Sequence, residues 1–229
     1  MKDIETLEEK LGVVFKDKDL LLQSVIHRSY LNEHPSFHLG HNERLEFLGD
    51  AVIELVVTEY LYEHYPNPEG ELTTWRSALV NAIMLGGIAR ELGVEEFLHL
   101  SRGEAKDTDS KARLYILANT FEAIVGSLYI DQGYGPCKTW IGEKVISRLP
   151  YILEHKLYAD PKSRFQEAAQ ERVGLTPSYK VIDESGPDHA KVFTVAVFLG
   201  SDQVALGQGT SKQEAQVAAA DKALESKGW

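Results

Sequence analysis

Three carboxylates with helical spacing stand out in the segment 41–52, which reads HNERLEFLGDAV. Glu43, Glu46 and Asp50 lie at positions i, i+3 and i+7, so a helix would project all three from one face. Carboxylates this close repel one another, and a cation would relieve the repulsion. Hard oxygen ligands of this kind suit Mg²⁺ or Mn²⁺. The spacing therefore predicts a metal-binding face, although an acidic helix face that is only solvated has the same pattern.

A second segment offers groups that could complete such a site. Residues 114–131, LYILANTFEAIVGSLYID, are strongly apolar and contain Asn119 and Glu122. The i, i+3 separation of these two residues puts both side chains on one face of a helix. This helix could therefore close a site that is opened by Glu46 and Asp50.

The segment HNERLEFLGDAV closely resembles the signature of the ribonuclease III family, the endonucleases that cut double-stranded RNA, and the resemblance extends over nearly the whole chain. The resemblance implies that four residues ligate the catalytic metal, and these are Glu46, Asp50, Asn119 and Glu122. Asp50 and Glu122 would be catalytic. Glu43 and Arg44 would organise the signature helix at a homodimer interface.

The resemblance also implies the reaction. A metal-activated water would attack a phosphodiester of duplex RNA in line, with Mg²⁺ as the metal and Mn²⁺ as its substitute. The products would carry 5′-phosphate and 3′-hydroxyl ends. Two protomers related by a two-fold axis would cut one strand each and leave a short 3′ overhang. The expected substrates are ribosomal and other structured precursors.

Asn119 departs from the family pattern, which ordinarily has aspartate at this position. An amide oxygen can ligate Mg²⁺ but brings no formal charge, so we expect weaker metal binding. Two interpretations stay open: a nuclease that needs more Mg²⁺, and an inactive or binding-only dimer on the same fold, natural or made by substitution. The first is favoured because Glu46, Asp50 and Glu122 all remain.

The C-terminal part resembles a double-stranded RNA-binding domain. The motifs are KSRFQE from Lys162, the loop GPDH from Gly186, and GTSKQEA from Gly209 followed by VAAA from Val217. The resemblance implies an RNA-binding set of Gln166, Glu167, His189, Lys212 and Gln213. Gln166 and Glu167 would reach one minor groove, His189 the next, and Lys212 the phosphates between them.

This domain also departs from its family. The last helix commonly starts with two lysines and has another basic residue one turn later, where this chain has Lys212, Gln213 and Gln216. Fewer counterions would be released, so we expect weak affinity with a shallow salt dependence. The alternative is a small α/β domain that docks another protein or the nuclease domain of its own chain. An unrelated hydrolase would require the C-terminal match to be chance.

Other polar residues flank the expected site. His27 and Asn32 are interpreted as packing or capping residues and stay outside it. The basic residues around the loop 101–111 could hold the RNA backbone, and these are Arg102, Lys106, Lys111 and Arg113. The acidic residues between them make a solvated loop the alternative.

Composition by itself does not suggest RNA, because the net charge is −11 and nucleic-acid-binding domains usually carry a basic face. The acidity is uneven. From Asp160 onward the chain has 8 basic and 10 acidic residues, against 16 and 25 before it. The N-terminal part therefore carries most of the negative charge, which metal ions and local Lys/Arg clusters would have to offset.

Apolar residues recur at three-to-four spacing in five N-terminal segments. The predicted helices are residues 3–12, 17–27, 42–65, 71–92 and 114–131, with polar loops at 28–41 and 101–111. We expect Asn42 to cap the third helix and Gly86-Gly87 to interrupt the fourth. Gly49 and Gly126 would let the third and fifth helices approach closely, or would only ease their packing.

The patterns predict two domains. An all-α endonuclease domain would span residues 1–155, a linker 156–161, and an α-β-β-β-α RNA-binding domain 162–228. The predicted elements of the second domain are helix 163–173, strands 178–184, 191–199 and 203–209, and helix 212–225. No long apolar run or signal-peptide core occurs, and the single Cys137 fits a reducing compartment. We therefore expect a cytoplasmic protein without a membrane span.

Overall fold

A computed structural model describes residues 3–108, 110–187 and 191–229 of the chain. The chain divides into two compact units, Met1–Glu154 and His155–Trp229. Within the described residues, none of the helices has the length and hydropathy that a membrane span requires. The use of residues 156–161 as a linker stays a prediction.

The first unit is helical. Its helices are α1 (Ile4–Leu11), α2 (Lys18–Ser24), α3 (Arg28–Glu33), α4 (Glu43–His64), α5 (Glu69–Val80), α6 (Ala82–Glu91), α7 (Lys111–Gln132), α8 (Tyr134–Lys144) and α9 (Leu149–Glu154). Short 3₁₀ turns lie at Val94–Phe97, Glu104–Lys106 and Ile146–Arg148. The two 22-residue helices, α4 and α7, pack against each other at the centre of the unit. Their buried faces supply much of its apolar core.

Among the differences from the predicted helices, two have a cause in a specific side chain, and α8 and α9 were not predicted. Residues 28–33, expected in a loop, form α3, because Nδ1 of His27 accepts a hydrogen bond from the Ser29 backbone N–H and caps the helix. The break in the segment 71–92 falls at Asn81 and not at Gly86-Gly87. Asn81 accepts from the Met84 N–H while its own amide donates to the Ser77 carbonyl, so one side chain ends α5 and begins α6.

Asn42 stands at the N-cap position of α4, but its side chain makes no capping hydrogen bond. The side chain is buried, and its amide donates to the Ser24 carbonyl at 3.0 Å. The Asn42 backbone N–H donates to the Ile26 carbonyl at 2.9 Å. Asn42 therefore ties the start of α4 to the end of α2, and the expected cap is wrong in mechanism although right in position.

The second unit has the predicted order of elements. These are α10 (Pro161–Val173), β1 (Pro177–Ser185), β2 (Val192–Leu199), β3 (Asp202–Gly209) and α11 (Lys212–Lys227). The strands form an antiparallel sheet in the order β1-β2-β3. Both helices pack on the sheet through a core that includes Phe165, Val195, Val197, Ala219 and Leu224. Val195 and Val197 of β2 belong to this core, and Ala196 between them is also buried.

Cys137 on α8 is a free thiol inside the core of the first unit. Burial raises the pKa of this thiol to about 12, so it stays protonated at neutral pH. Cys137 therefore packs as a small buried hydrophobic residue.

Candidate active site

The α4–α7 contact is made through two glycines. A Cβ atom built on Gly49 would lie 1.7 Å from the Glu122 backbone oxygen, and one on Gly126 would lie 2.1 Å from the Leu45 backbone oxygen. Both distances are far below any real carbon–oxygen contact, so only glycine fits at either position. The close approach of the two helices, one of the two readings of these glycines, is confirmed.

This contact brings carboxylates of both helices into one electrostatic environment. Burial first, and then the negative charges of Asp50 and Glu46, together raise the pKa of Glu122 to about 8. The pKa of Glu46 is also raised, by burial first and then by Glu43 and Asp50. Glu46 and Glu122 are half-buried and Asp50 is exposed. Negative charge is therefore concentrated at the junction of α4 and α7.

The remaining α7 residue of the expected set, Asn119, is half-buried and lies one helical turn before Glu122. Asn119 and Glu122 share the α7 face that carries the acidic junction. Among the described residues, no hydrogen bond or ion pair satisfies the side chains of Glu46, Asp50, Asn119 or Glu122. The junction thus holds unbalanced negative charge with no protein cation against it.

The donor set fits a hard divalent cation in type and in charge, since it consists of carboxylates and one amide oxygen. In the described part of the chain, however, no three His, Cys, Asp or Glu side chains are grouped so that they could hold a metal ion. The side chains of Glu46, Asp50 and Glu122 therefore share one charge environment without forming a closed ligand set.

Glu43 and Arg44 are exposed at the first turn of α4. Glu43 lies 3.6 Å from the Arg28 guanidinium and 3.7 Å from the His41 ring. Its charge contributes to the raised pKa of Glu46. The structure therefore links Glu43 to the acidic junction and to α3. Arg44 is exposed, as a residue at a dimer interface would be in a single protomer.

Arg113, expected among residues that could hold RNA, is buried instead. Its guanidinium donates to the Asp107 carbonyl at 2.7 Å and to the Glu104 carbonyl at 2.9 Å, and it lies 3.5 Å from the Glu95 carboxylate. Arg113 fixes the conformation of the loop before α7 and has no free donor face for a phosphate. That part of the prediction is wrong. The position of Arg113 next to a polar loop did not show that its side chain is buried beneath that loop.

His27 and Asn32, kept outside the site by the sequence analysis, line an open cavity of about 540 Å³ together with Glu104 and Tyr115. Tyr115 was not singled out from the sequence. It lies four residues before Asn119 and seven before Glu122, so all three share one face of α7. That i, i+4, i+7 spacing is the signal that could have identified it.

The expected RNA-binding residues of the second unit are at its surface. Gln166 and Glu167 are exposed on α10, and Gln213 is exposed on α11. Lys212 begins α11, where its ammonium lies 3.1 Å from the Glu184 carboxylate and 5.5 Å from the centre of the Phe193 ring. His189 lies outside the described residues.

A lysine from α10 lies beside the glutamine that departs from the family pattern on α11. Lys162 donates to the side-chain oxygen of Gln216 at 2.8 Å, and its ammonium lies 5.1 Å from the centre of the Tyr179 ring. Lys162 thus brings a positive charge close to the α11 surface at the position where a basic residue is absent from the sequence.

Known families match both units. A model described as ribonuclease-III-like matches residues 17–149, and a model described as double-stranded RNA binding motif matches residues 161–227. Ribonuclease 3 of Roseiflexus sp. (strain RS-1) is 40% identical over 228 residues, which cover 98% of this chain and 96% of that protein. Ribonuclease 3 of Natranaerobius thermophilus is 43% identical, with 98% and 96% covered.

A solved structure of the nuclease domain of ribonuclease III from Campylobacter jejuni is also similar, with a TM-score of 0.57 and 36% identity. It covers 65% of this chain and 99% of that one. The sequence matches extend over both units, and the helical unit has the fold of that nuclease domain. The chain therefore belongs to the ribonuclease III family, the metal-dependent endoribonucleases that cut double-stranded RNA.

Proposed function

We propose that this ribonuclease uses Mg²⁺, or Mn²⁺ as a substitute, to cut ribosomal and other structured RNA precursors into products with 5′-phosphate and 3′-hydroxyl ends. The observation that carries the proposal is the acidic junction of α4 and α7, where three carboxylates have no protein cation against them. We further propose a cytoplasmic location, where Cys137 remains a thiol.

The metal would be held by Glu46, Asp50, Asn119 and Glu122, with Asp50 and Glu122 as the catalytic pair. When bound, the ion would supply Lewis acidity, which makes water a better nucleophile and offsets the charge that develops on the phosphate oxygens.

The chain's own contribution is to fix the carboxylates relative to each other. The Gly49–Gly126 contact holds the α4 and α7 backbones together, so the Cα positions of the acidic residues are set by two rigid helices. Without a cation, the negative potential at this junction would repel an RNA phosphate. The substrate backbone therefore approaches closely only after the charge is neutralised, which couples metal binding to productive RNA binding.

We propose that the enzyme is a homodimer that forms through α4. The support is a mainly apolar stripe that faces solvent along this helix. Its members are Phe47, Ala51, Leu55, Thr58 and Tyr62, with Phe47 and Tyr62 each 82% exposed. An exposed apolar surface on a helix of this length is typical of an interaction site. The Campylobacter jejuni nuclease domain is itself described as having a region involved in dimer formation.

The dimer would place Glu43 and Arg44, at the start of the same helix, close to the interface. Each protomer would then cut one strand of the duplex and leave a short 3′ overhang. The second unit would add affinity for duplex RNA through Gln166, Glu167, His189, Lys212 and Gln213, with Lys162 as a further cation.

The second candidate function is a binding-only dimer that has lost cleavage because Asn119 replaces the usual aspartate. One experiment separates the two candidates. Purified protein is incubated with end-labelled duplex RNA with and without Mg²⁺, and the product ends are identified. Metal-dependent cleavage with 5′-phosphate ends supports the nuclease, whereas binding without cleavage at any Mg²⁺ or Mn²⁺ concentration supports the binding-only form.

A further inference from the structure

We propose that the cavity beside the acidic junction binds ribose 2′-hydroxyls of the RNA strand next to the cut, and so helps the enzyme to select RNA over DNA. The cavity lies between α3, the loop before α7 and the first turns of α7, with a volume of about 540 Å³. Its recognition groups are His27, Asn32, Glu104 and Tyr115. The inference rests on the proposed function, because the cavity meets a duplex only if that duplex enters the acidic site.

The cavity and the acidic site involve residues on the same face of α7. Tyr115 lines the cavity, and Asn119 and Glu122 follow it on the same helix face. At 1.5 Å per residue, Asn119 lies about 6 Å and Glu122 about 10 Å further along the helix axis. An A-form RNA duplex rises less per nucleotide than the roughly 3.4 Å of B-form DNA, so these distances correspond to about two to four nucleotides.

The cavity is also linked to the acidic site through α4. Arg28, at its rim, lies 3.6 Å from Glu43, whose charge acts on Glu46. The charges of Glu104 and Glu43 both act on the His27 ring. Arg28 and His27 of the cavity lining and Glu46 of the acidic junction are thus all affected by the charge of Glu43.

The polar groups of the cavity match a hydroxyl, which both donates and accepts hydrogen bonds. Nδ1 of His27 lies 3.3 Å from the Ser29 backbone N and 2.8 Å from Ser29 Oγ. When Nδ1 accepts these bonds, the proton of a neutral ring is on Nε2, which is then a donor. Burial lowers the pKa of His27, which favours this neutral form. Glu104 supplies acceptors, and the Asn32 amide and Tyr115 hydroxyl each supply both kinds of group.

The charge of the cavity disfavours a phosphate as its occupant. Among the described residues that line the cavity, Arg28 is the only Lys or Arg, and its charge is already opposed by Glu43. Glu104 adds a negative charge to the lining. A phosphate would be repelled by Glu104, whereas the neutral sugar edge in the wide minor groove of A-form RNA would not be.

The wall that carries Glu104 is fixed in advance. The Glu104 carbonyl accepts from the buried Arg113, and the Glu104 N–H donates to Ser101 Oγ at 3.3 Å. The Ser101 N–H in turn donates to Ser29 Oγ at 3.1 Å, which joins the loop to α3. Such preorganisation lowers the cost of binding a hydroxyl at a defined position.

A substitution cycle between protein and RNA tests the proposal. Duplexes with one cut site carry single 2′-deoxy nucleotides at each position within five of the cut, in either strand. The full-length protein should cleave at least one of them about threefold to tenfold more slowly than all-ribose RNA, the effect of one lost hydrogen bond. In the Asn32→Ala or Tyr115→Phe protein, the same 2′-deoxy nucleotide should slow cleavage less than twofold. The side-chain group that would bond the 2′-hydroxyl is already absent from that protein.

Tyr151→Phe, on α9 and away from the cavity, is the matched control and should keep the full 2′-deoxy effect. The cavity assignment would be overturned if each protein substitution and each 2′-deoxy nucleotide slowed cleavage independently, so that their effects were additive at every RNA position. Normal cleavage of all-ribose RNA by the parent would then leave the nuclease function intact. A parent protein that cleaves no substrate would instead contradict the proposed function itself.

Discussion

At the residue scale, the raised pKa of Glu122 lowers the stability of the metal-free protein. The structure holds this carboxyl half-buried beside Asp50 and Glu46, and burial together with their charges raises its pKa to about 8. Its usual pKa is 4.5. Ionised Glu122 is therefore less favourable in the folded metal-free protein than in the unfolded chain. Such an arrangement is retained where the charge is needed for a ligand.

Glu122→Gln should abolish cleavage and leave RNA binding intact, because the amide keeps the size of the side chain and removes the charge that holds the metal. Cleavage assays and gel-shift titrations measure the two effects. Glu9→Gln, on the exposed face of α1, is the control and should cleave normally. Cleavage by Glu122→Gln at near the parent rate would contradict the site assignment.

The same substitution should stabilise the metal-free protein in a pH-dependent way. Because the folded-state pKa of Glu122 is raised, stability is lost as the pH rises from about 4.5 towards 8, where only the unfolded chain ionises freely. In EDTA, Glu122→Gln should therefore match the parent Tm near pH 5 and exceed it by a few degrees above pH 8, at about 2–4 °C per kcal/mol. A Tm difference that is independent of pH would show that Glu122 is not strained by its charge.

The sequence predicted the acidic residues of the junction but not the burial of their neighbours. The i, i+3 and i+7 spacing was enough to group Glu43, Glu46 and Asp50, because one helix fixes those relations. Arg113 was misassigned, since its orientation depends on the loop above it, and Tyr115 was overlooked because its neighbours in the cavity come from α3 and from Glu104. Contacts between segments distant in sequence are not encoded in local spacing.

At the scale of elements, the contact between α4 and α7 controls the geometry of the site. Gly49→Ala should separate the helices, because a Cβ at this position collides with the Glu122 backbone oxygen. Overpacking of this kind typically costs about 1–3 kcal/mol. We expect a lower Tm and a cleavage rate that falls by more than the loss of folded protein explains.

The matched control is Gly87→Ala on α6, where an added Cβ has nothing within 4 Å. Alanine in place of glycine inside a helix should stabilise this protein by about 0.5–1 kcal/mol and leave cleavage unchanged. Equal behaviour of the two variants in thermal melts would mean that the α4–α7 contact is looser than described.

Helix and strand positions were largely predictable, and their ends were less so. Apolar periodicity located α4 and α7, and the alternation around Val195 located β2. The start of α3 and the break at Asn81 were missed because His27 and Asn81 act through specific side-chain bonds that periodicity does not register. Asn42 has the position of an N-cap, but its side-chain amide donates to the Ser24 carbonyl and does not cap α4.

Lys162 modifies the expectation of weak RNA binding by the second unit. Its ammonium lies beside Gln216 and adds a cation to the α11 surface, so Lys162→Gln should reduce the slope of log K against log salt by about one. Lys222→Gln, on the later half of α11, serves as the control. Identical salt slopes for the parent and Lys162→Gln would exclude Lys162 from the RNA contact.

At the scale of the whole molecule, two active sites require two protomers. Phe47→Asp places a charge in the exposed stripe of α4 and should convert a dimer into a 25.6 kDa monomer in sedimentation experiments at micromolar concentration. Val14→Asp changes an equally unusual exposed apolar residue outside α4 and should leave the dimer intact. A parent that sediments only as monomer would remove the two-strand mechanism.

The family and the order of elements were predictable for the whole chain because its motifs are long and local. The oligomeric state and the metal requirement of this chain depend on its own surfaces and charges, which the motifs do not specify. Net charge was a poor guide. The acidic balance argued against RNA, yet carboxylates of both helices are close together at the junction of α4 and α7, where a metal ion would offset their charge.

The metal requirement of cleavage tests the central claim most directly. The rate of cleavage of a labelled RNA duplex is measured across a Mg²⁺ and Mn²⁺ titration for the parent and for Asn119→Asp. We predict cleavage by the parent only at elevated metal, and a lower metal requirement with a higher rate for Asn119→Asp, since the added charge strengthens binding. A slower Asn119→Asp protein at every metal concentration, or parent cleavage that persists in EDTA, would contradict the account.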